Sequence, residues 1–253
     1  MSQVRSLICF DKPKSKQMKH LILAVSGLLL LACNKEKLPN GVNLSPEIQE
    51  DVLTKEGIEN ALSHLEIVPY AELDSQYIHY SHPNEKFLDE LKNRTYYKVF
   101  GNQMNLKIIG NYTTSDFMAH DEYYKTYKKN PFPEFEQYWL IDKEVLFMLL
   151  ELILKLDEEG YNKYGFHIRN SHRHPKLNTD GSGASYSQHM FGRAIDIGID
   201  DIDMDGESTL QDKKIIYDML QKIVGNDGGL GLYPGKMSLH FDCRGFRARW
   251  DWP

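Results

Sequence analysis

The residues of this chain whose types and spacing could do chemistry are His189, Asp196 and His240. His189 and Asp196 lie in SQHMFGRAID with six residues between them, and His240 follows Asp196 by 44 positions. Imidazole and carboxylate are good zinc ligands. Three protein donors leave the fourth tetrahedral position free for water, as a catalytic zinc requires and a closed structural site does not provide. Gly192 and Ala194, between the first two donors, are small enough to let the chain turn and pack closely beneath the site. A second group of oxygen donors follows. Asp201, Asp203, Asp205, Gly206 and Asp212 occupy positions 1, 3, 5, 6 and 12 of a calcium-loop spacing. Position 12 is Asp where Glu is usual, and a strand precedes the loop where an EF-hand has a helix. The same residues also read as a solvated acidic turn at a helix N-terminus. Calcium here would be structural, tying the metal-bearing strand to that helix.

The elements that must position these donors are concentrated in the C-terminal half. Asp142 caps an apolar-rich run from Val145 to Leu156 that ends at Gly160, and Glu151 and Lys155 within it mark a buried core helix rather than a membrane span. Tyr164 to Arg173 reads as a strand entering a loop, and Gly192 to Ile199 as a second strand. Leu210 to Val224 is helical, with Ser208 and Gln211 at capping-box spacing and Ile216, Leu220 and Ile223 on one face. MSLHFDCRGFRARW closes the chain as a strand. Upstream, the two prolines of KKNPFPEFE, Lys128 to Glu136, mark a boundary. Residues 46–135 hold a helix near Asn84 to Leu91 and a strand-like segment from Leu106 to Thr114, and carry no catalytic pattern. The layout is α+β: a small antiparallel sheet with flanking helices, carrying the zinc site within residues 136–253.

Ser187, His189, Gly192, Ala194 and Asp196 together form S-x-H-x-x-G-x-A-x-D. This pattern resembles the signature of the D-alanyl-D-alanine zinc metallopeptidases, a family of peptidoglycan carboxypeptidases and endopeptidases that shares its metal-site fold with hedgehog signalling domains. Asn170-Ser171-His172-Arg173, with Pro175 and Asn178 after it, sits where that family carries a Ser-Gly-Tyr-Arg-like turn. GGLGLYP (Gly228 to Pro234) and LHFDCRGFRARW (Leu239 to Trp250) are similar to the closing strands of a wall-endopeptidase branch, so the likeness spans roughly residues 139–253. It implies zinc on His189, Asp196 and His240, with the pKa of a bound water lowered to about 7. It also implies that Arg173 faces the carbonyl oxygen or a carboxylate of the substrate. Many relatives carry an acidic residue or a second histidine two or three positions before the last zinc histidine, where this chain has Ser238 and Met237. Asp242 shares a strand face with His240 by alternation, and is either the general base or a carboxylate that orients a ligand histidine. His167, His172 and His174 read as ordinary surface or hydrogen-bonding residues, and Trp250 and Trp252 as terminal packing.

The N-terminus supplies the setting. Arg5, Lys12, Lys14, Lys16 and Lys19 precede the apolar stretch Leu21 to Ala32, twelve residues long, which is followed at once by Cys33. That length is too short for a stable span and suits the core of an export signal. Leu30-Leu31-Ala32-Cys33 looks like a bacterial lipobox. The expected organisation is a lipoprotein signal peptide at 1–32, a lipidated tether at 33–45 starting on Cys33, a region of unassigned role at 46–135 and a zinc peptidase domain at 136–253. Cys243 is then the one cysteine left in the folded part, so no internal disulfide forms, and it reads as a small buried hydrophobe. Removing residues 1–32 leaves 25 basic against 35 acidic residues, a net charge of −10, which argues against nucleic acid as a partner. The expected partners are peptidoglycan peptides and, through the acyl chains, a membrane. The competing reading is a zinc-containing module that binds wall peptides without cleaving them.

Overall fold

The computed structural model describes residues 51–118 and 137–251. The expectations for the signal, for Cys33, for the tether, for the boundary at Lys128 to Glu136 and for Trp252 fall outside these residues. Among the described residues no helix is long and apolar enough to cross a membrane.

The chain forms α1 (Lys55–Ser63), β1 (Glu66–Val68), α2 (Ser75–Ser81), α3 (Glu85–Lys92) and β2 (Tyr96–Val99). It continues with β3 (Lys107–Ile109), β4 (Tyr112–Thr113), α4 (Thr114–Phe117) and β5 (Gln137–Leu140). After these come α5 (Lys143–Glu158), β6 (Phe166–Asn170), α6 (Pro175–Asp180) and β7 (Ala194–Ile199). The last elements are α7 (Leu210–Val224), β8 (Gly229–Leu232), β9 (Ser238–Asp242) and β10 (Ala248–Asp251). The fold is α+β, as expected.

The sheet that carries the site is larger than expected and mixed. Its five strands run in the order β10-β8-β9-β7-β6, antiparallel except that β10 lies parallel to β8. The closing segment read as one strand is therefore two, separated by the turn at 243–247. A second, antiparallel sheet has the order β1-β2-β5, and β3 and β4 form a hairpin. Alternation divides the five-stranded sheet into two faces. Ile195, Ile197, Leu230, Leu239 and Phe241 point into the main core, while Asp196, His240 and Asp242 point the other way.

The helix α5 covers the core face. Asp142 caps it by accepting the N–H of Glu144 at 3.1 Å, and Leu146, Leu149, Leu152, Ile153 and Leu156 are buried along it. Each such buried leucine contributes about 1.5–3 kcal/mol. On α7 the cap is Thr209, whose box partner is Asp212, one position beyond the Ser208–Gln211 pair expected.

The described residues lie within one compact unit, Pro46–Pro253. Ile58, Val99, Ile108 and Phe117 share the main core with α5, α7 and the five-stranded sheet. A second, aromatic core joins Tyr77, Tyr80, Phe87 and Tyr96 to Met190 and Phe191. Residues 51–118 thus build the same body as the motif around His189, not a separate one.

Candidate metal centre

His189 sits in a short 3-10 turn, Gln188–Phe191, that leads into β7. The two residues after it anchor that turn, with Met190 and Phe191 fully buried in the aromatic core. Gly192 then adopts φ 68°, and a Cβ there would fall 2.4 Å from the Leu140 carbonyl oxygen, so only glycine lets the turn lie against β5. Its carbonyl accepts the N–H of Asp142 at 2.8 Å. Asp196 and His240 are register partners on β7 and β9, and Asn170 on β6 is the partner of Asp196 on its other side. Turn and sheet face converge on one point.

There, His189 Nε2 lies 3.2 Å from His240 Nδ1 and 3.2 Å from Asp196 Oδ1, and His240 Nδ1 lies 2.8 Å from Asp196 Oδ1. Ligands about 2.1 Å from a tetrahedral zinc stand roughly 3.4 Å apart, so two edges of the triangle are about 0.2 Å short of one face of that tetrahedron and the third, His240 to Asp196, about 0.6 Å short. No fourth His, Cys, Asp or Glu joins the group among the described residues.

Each donor atom is presented by a partner behind it. His189 Nδ1 donates to the Ser171 carbonyl at 2.5 Å, which leaves the lone pair on Nε2. His240 Nε2 donates to Asp242 Oδ2 at 2.8 Å, which leaves the lone pair on Nδ1. The Asn170 amide donates to Asp196 Oδ2 at 3.4 Å, on the oxygen outside the triangle. The residues present therefore fit zinc in donor type, number, spacing and tautomer.

The electrostatics follow the same contacts. Burial raises the carboxyl of Asp196, but the histidines on either side outweigh it and hold the group well below the usual carboxylate range. Burial pushes His189 down. Burial would do the same to His240, yet its hydrogen bonds to Asp196 and Asp242 lift it above the ordinary histidine value.

Of the two roles expected of Asp242, its contacts favour the second. It is fully buried, and Oδ1 accepts from Gly229 N at 3.0 Å, Arg244 N at 3.2 Å and Arg244 Nε at 2.8 Å. Oδ2 accepts from Arg244 Nη2 at 2.5 Å as well as from His240. Against burial, Arg244 and His240 hold its carboxyl well below the usual carboxylate range. This geometry does not favour a general base: the carboxylate stands on the far side of the imidazole from the donor triangle, with both oxygens occupied.

Arg173 lies beside His189. Its N–H donates to the His189 carbonyl at 3.1 Å, its charge acts on both His189 and Tyr233, and its Nε meets no partner among the described residues. Tyr233, which sequence reasoning did not single out, continues the Gly229 and Gly231 face of β8, and burial together with Asp196 pushes its hydroxyl up to about 12. Of the three other histidines, His167 is exposed and pairs with Asp200 at 2.9 Å. His172 and His174 are buried: Nδ1 of His172 accepts the N–H of Leu140, and Nδ1 of His174 accepts that of Leu177 at the start of α6. Cys243 is half-buried against the core, and burial pushes its thiol up to about 12.

Two residues from α3 and the segment after it brace the metal turn without any sequence signal. Arg94 Nε donates to the Phe191 carbonyl at 3.1 Å and its Nη2 pairs with Asp142 at 2.7 Å. Glu90 pairs with Arg193 at 2.5 Å and accepts from the Tyr186 hydroxyl.

The acidic loop brings together Asp201, Asp203 and Asp205 but not Asp212. Asp212 is buried and spent on backbone: Oδ1 accepts from Ile202 and Asp203, and Oδ2 from the Thr209 N–H and hydroxyl. The twelfth position of the calcium spacing is thus a helix cap. Asp201 itself accepts the N–H groups of Asp205 and Gly206, closing the loop on its own carboxylates.

Comparison with protein-family models, with curated proteins and with solved structures finds no match to the chain.

Proposed function

We propose that this chain is a zinc-dependent peptidase that hydrolyses peptide bonds in the stem peptides or cross-links of peptidoglycan. The observation that carries the reading is the donor triangle of His189, Asp196 and His240, each atom aimed by its own partner and accompanied by an arginine. Zinc held there would polarise a water and the carbonyl of the scissile amide. The residues of the chain do the rest. Arg173, beside His189, would hold a substrate carboxylate or steady negative charge developing on the carbonyl oxygen. Ser171 and Asp242 keep both imidazoles in the tautomer that binds metal. The wall as substrate rests on the resemblance of the motif and on the export signal and lipobox read at Leu21 to Cys33, which would put the protein on a membrane facing that polymer.

The saturation of Asp242 favours a second reading, in which the site holds zinc and binds wall peptides without cutting them. Incubating the mature protein with purified wall digests, with and without chelator, separates the two. New muropeptides that vanish with chelator support the peptidase; retention of wall peptides with no zinc-dependent product supports the binding module.

A further inference from the structure

We propose that Arg244 and Trp250 are positioning residues for His240, and that strand β10 thereby belongs to the metal centre and is more than terminal packing. Trp250, Gly231 and His240 are register partners across β10, β8 and β9. Two strand spacings separate the outer pair, roughly 9.6 Å, a gap that side chains on one face do not normally close. Here they do, because the strand between contributes no side chain. A Cβ on Gly231 would fall 2.6 Å from the indole, and without it the ring leans across the strand to lie 5.0 Å from the His240 ring, centroid to centroid, at 54°.

Arg244 completes a closed circuit. Its guanidinium grips both oxygens of Asp242 and at the same time stands 5.0 Å over the Trp250 ring. A planar fork can hold a carboxylate along its edge and an aromatic ring against its face at once, which an ammonium cannot. His240 thus touches Asp242 through Nε2 and Trp250 through its ring, and Arg244 joins these two to each other. The torsion that turns an imidazole about its Cβ–Cγ bond is broad, so a single hydrogen bond leaves the ring free to swing about it. Contact with the indole removes that freedom, and Nδ1 stays aimed into the triangle.

The inference rests on the metal-centre reading but not on catalysis. The test is a zinc affinity measurement by competition with a chromophoric chelator, with the visible spectrum of the cobalt-substituted protein beside it. The full chain is compared with Trp250→Ala, Trp250→Phe, Arg244→Ala and Arg244→Lys. Trp250→Ala and both Arg244 variants are expected to weaken zinc binding roughly 10- to 100-fold and to change the cobalt d–d bands, while Trp250→Phe stays close to the parent. A Trp250→Ala protein with parental zinc affinity and cobalt spectrum overturns the proposal, whatever happens to its melting temperature. If that variant does not fold, parental zinc affinity in Arg244→Lys overturns it equally. A parent chain that binds no zinc at all would instead overturn the metal-centre reading.

Discussion

Replacing Asp242 with Asn separates orientation of a ligand from proton transfer. In the native chain the carboxylate accepts five hydrogen bonds: one from Gly229, three from Arg244 and one from His240. An amide keeps one accepting oxygen and turns the other into a donor. Whichever way it faces, its NH2 group meets either Gly229 N–H and Arg244 Nε–H or His240 Nε2–H and Arg244 Nη2–H. The imidazole then loses either its anionic partner or its fixed tautomer. Loss of such a partner weakens metal binding about 10- to 100-fold, which is about 1.4–2.7 kcal/mol. Were Asp242 the general base, the loss would appear elsewhere, as a fall of roughly 10²–10⁴ in kcat with zinc affinity intact. The assay is a chelator-competition titration for zinc, followed by turnover of wall digests at saturating zinc. A variant with native zinc affinity and a collapsed kcat would refute the orienting role derived from these contacts.

The remaining expectations concern the surroundings of the site. Arg94→Ala breaks the Phe191 and Asp142 contacts of a mostly buried guanidinium and should cost about 1–3 kcal/mol in urea unfolding while lowering zinc affinity. Glu59→Ala, which breaks the half-exposed pair with Lys143, should cost under about 1 kcal/mol; equal losses in the two would contradict the bracing role of Arg94. Burial, with His174 and His189 nearby, lowers His172 to about 3, so below pH about 6.5 the unfolded chain binds more protons than the folded one and stability falls with acid. From pH 6.5 to 5 this amounts to about 2 kcal/mol, and His172→Gln should flatten the urea midpoint over that window; parallel pH profiles would refute it. Calcium held by Asp201, Asp203 and Asp205 should raise the melting temperature of the zinc-loaded protein, and indifference to both calcium and EGTA would remove that site.

What was legible in the sequence was what local chemistry dictates. The donors of the triangle stand at recognisable offsets, and α5, its Asp142 cap and the helix α3 near Asn84 follow from periodicity and from a side-chain oxygen that satisfies free N–H groups. The capping box of α7 was displaced by one residue, because adjacent Ser208 and Thr209 offer the same hydroxyl and only packing chooses between them. That choice also decided the acidic loop, since Asp212 cannot cap the helix and serve as a twelfth-position ligand together. The parallel pairing of β10 with β8 was not legible, because hydrophobic alternation fixes which face a residue takes but not which distant strand lies beside it. Nor were Arg94 and Glu90, whose partners lie 48 to 103 positions away with no pattern linking them.

The motif around His189 does two jobs, and this explains why the region upstream of residue 119 shares a body with it. His189 and Asp196 face the donor triangle, while Met190 and Phe191 face an aromatic core that α2, α3 and β2 largely build. Remove that core and the turn has nothing to seat it. The same logic governs the zinc-free cluster. His240 stands between two carboxylates, so with no metal its imidazole holds a proton more tightly than an ordinary histidine, and that proton answers the charge of Asp196. Zinc bound there would have to displace it, so binding would weaken with acid and release a proton on loading. The carboxylate that keeps His240 in its metal-binding tautomer is thus one of the two that make protons the metal's competitor. In a zinc centre Asp242 would set both its geometry and the pH range over which it loads.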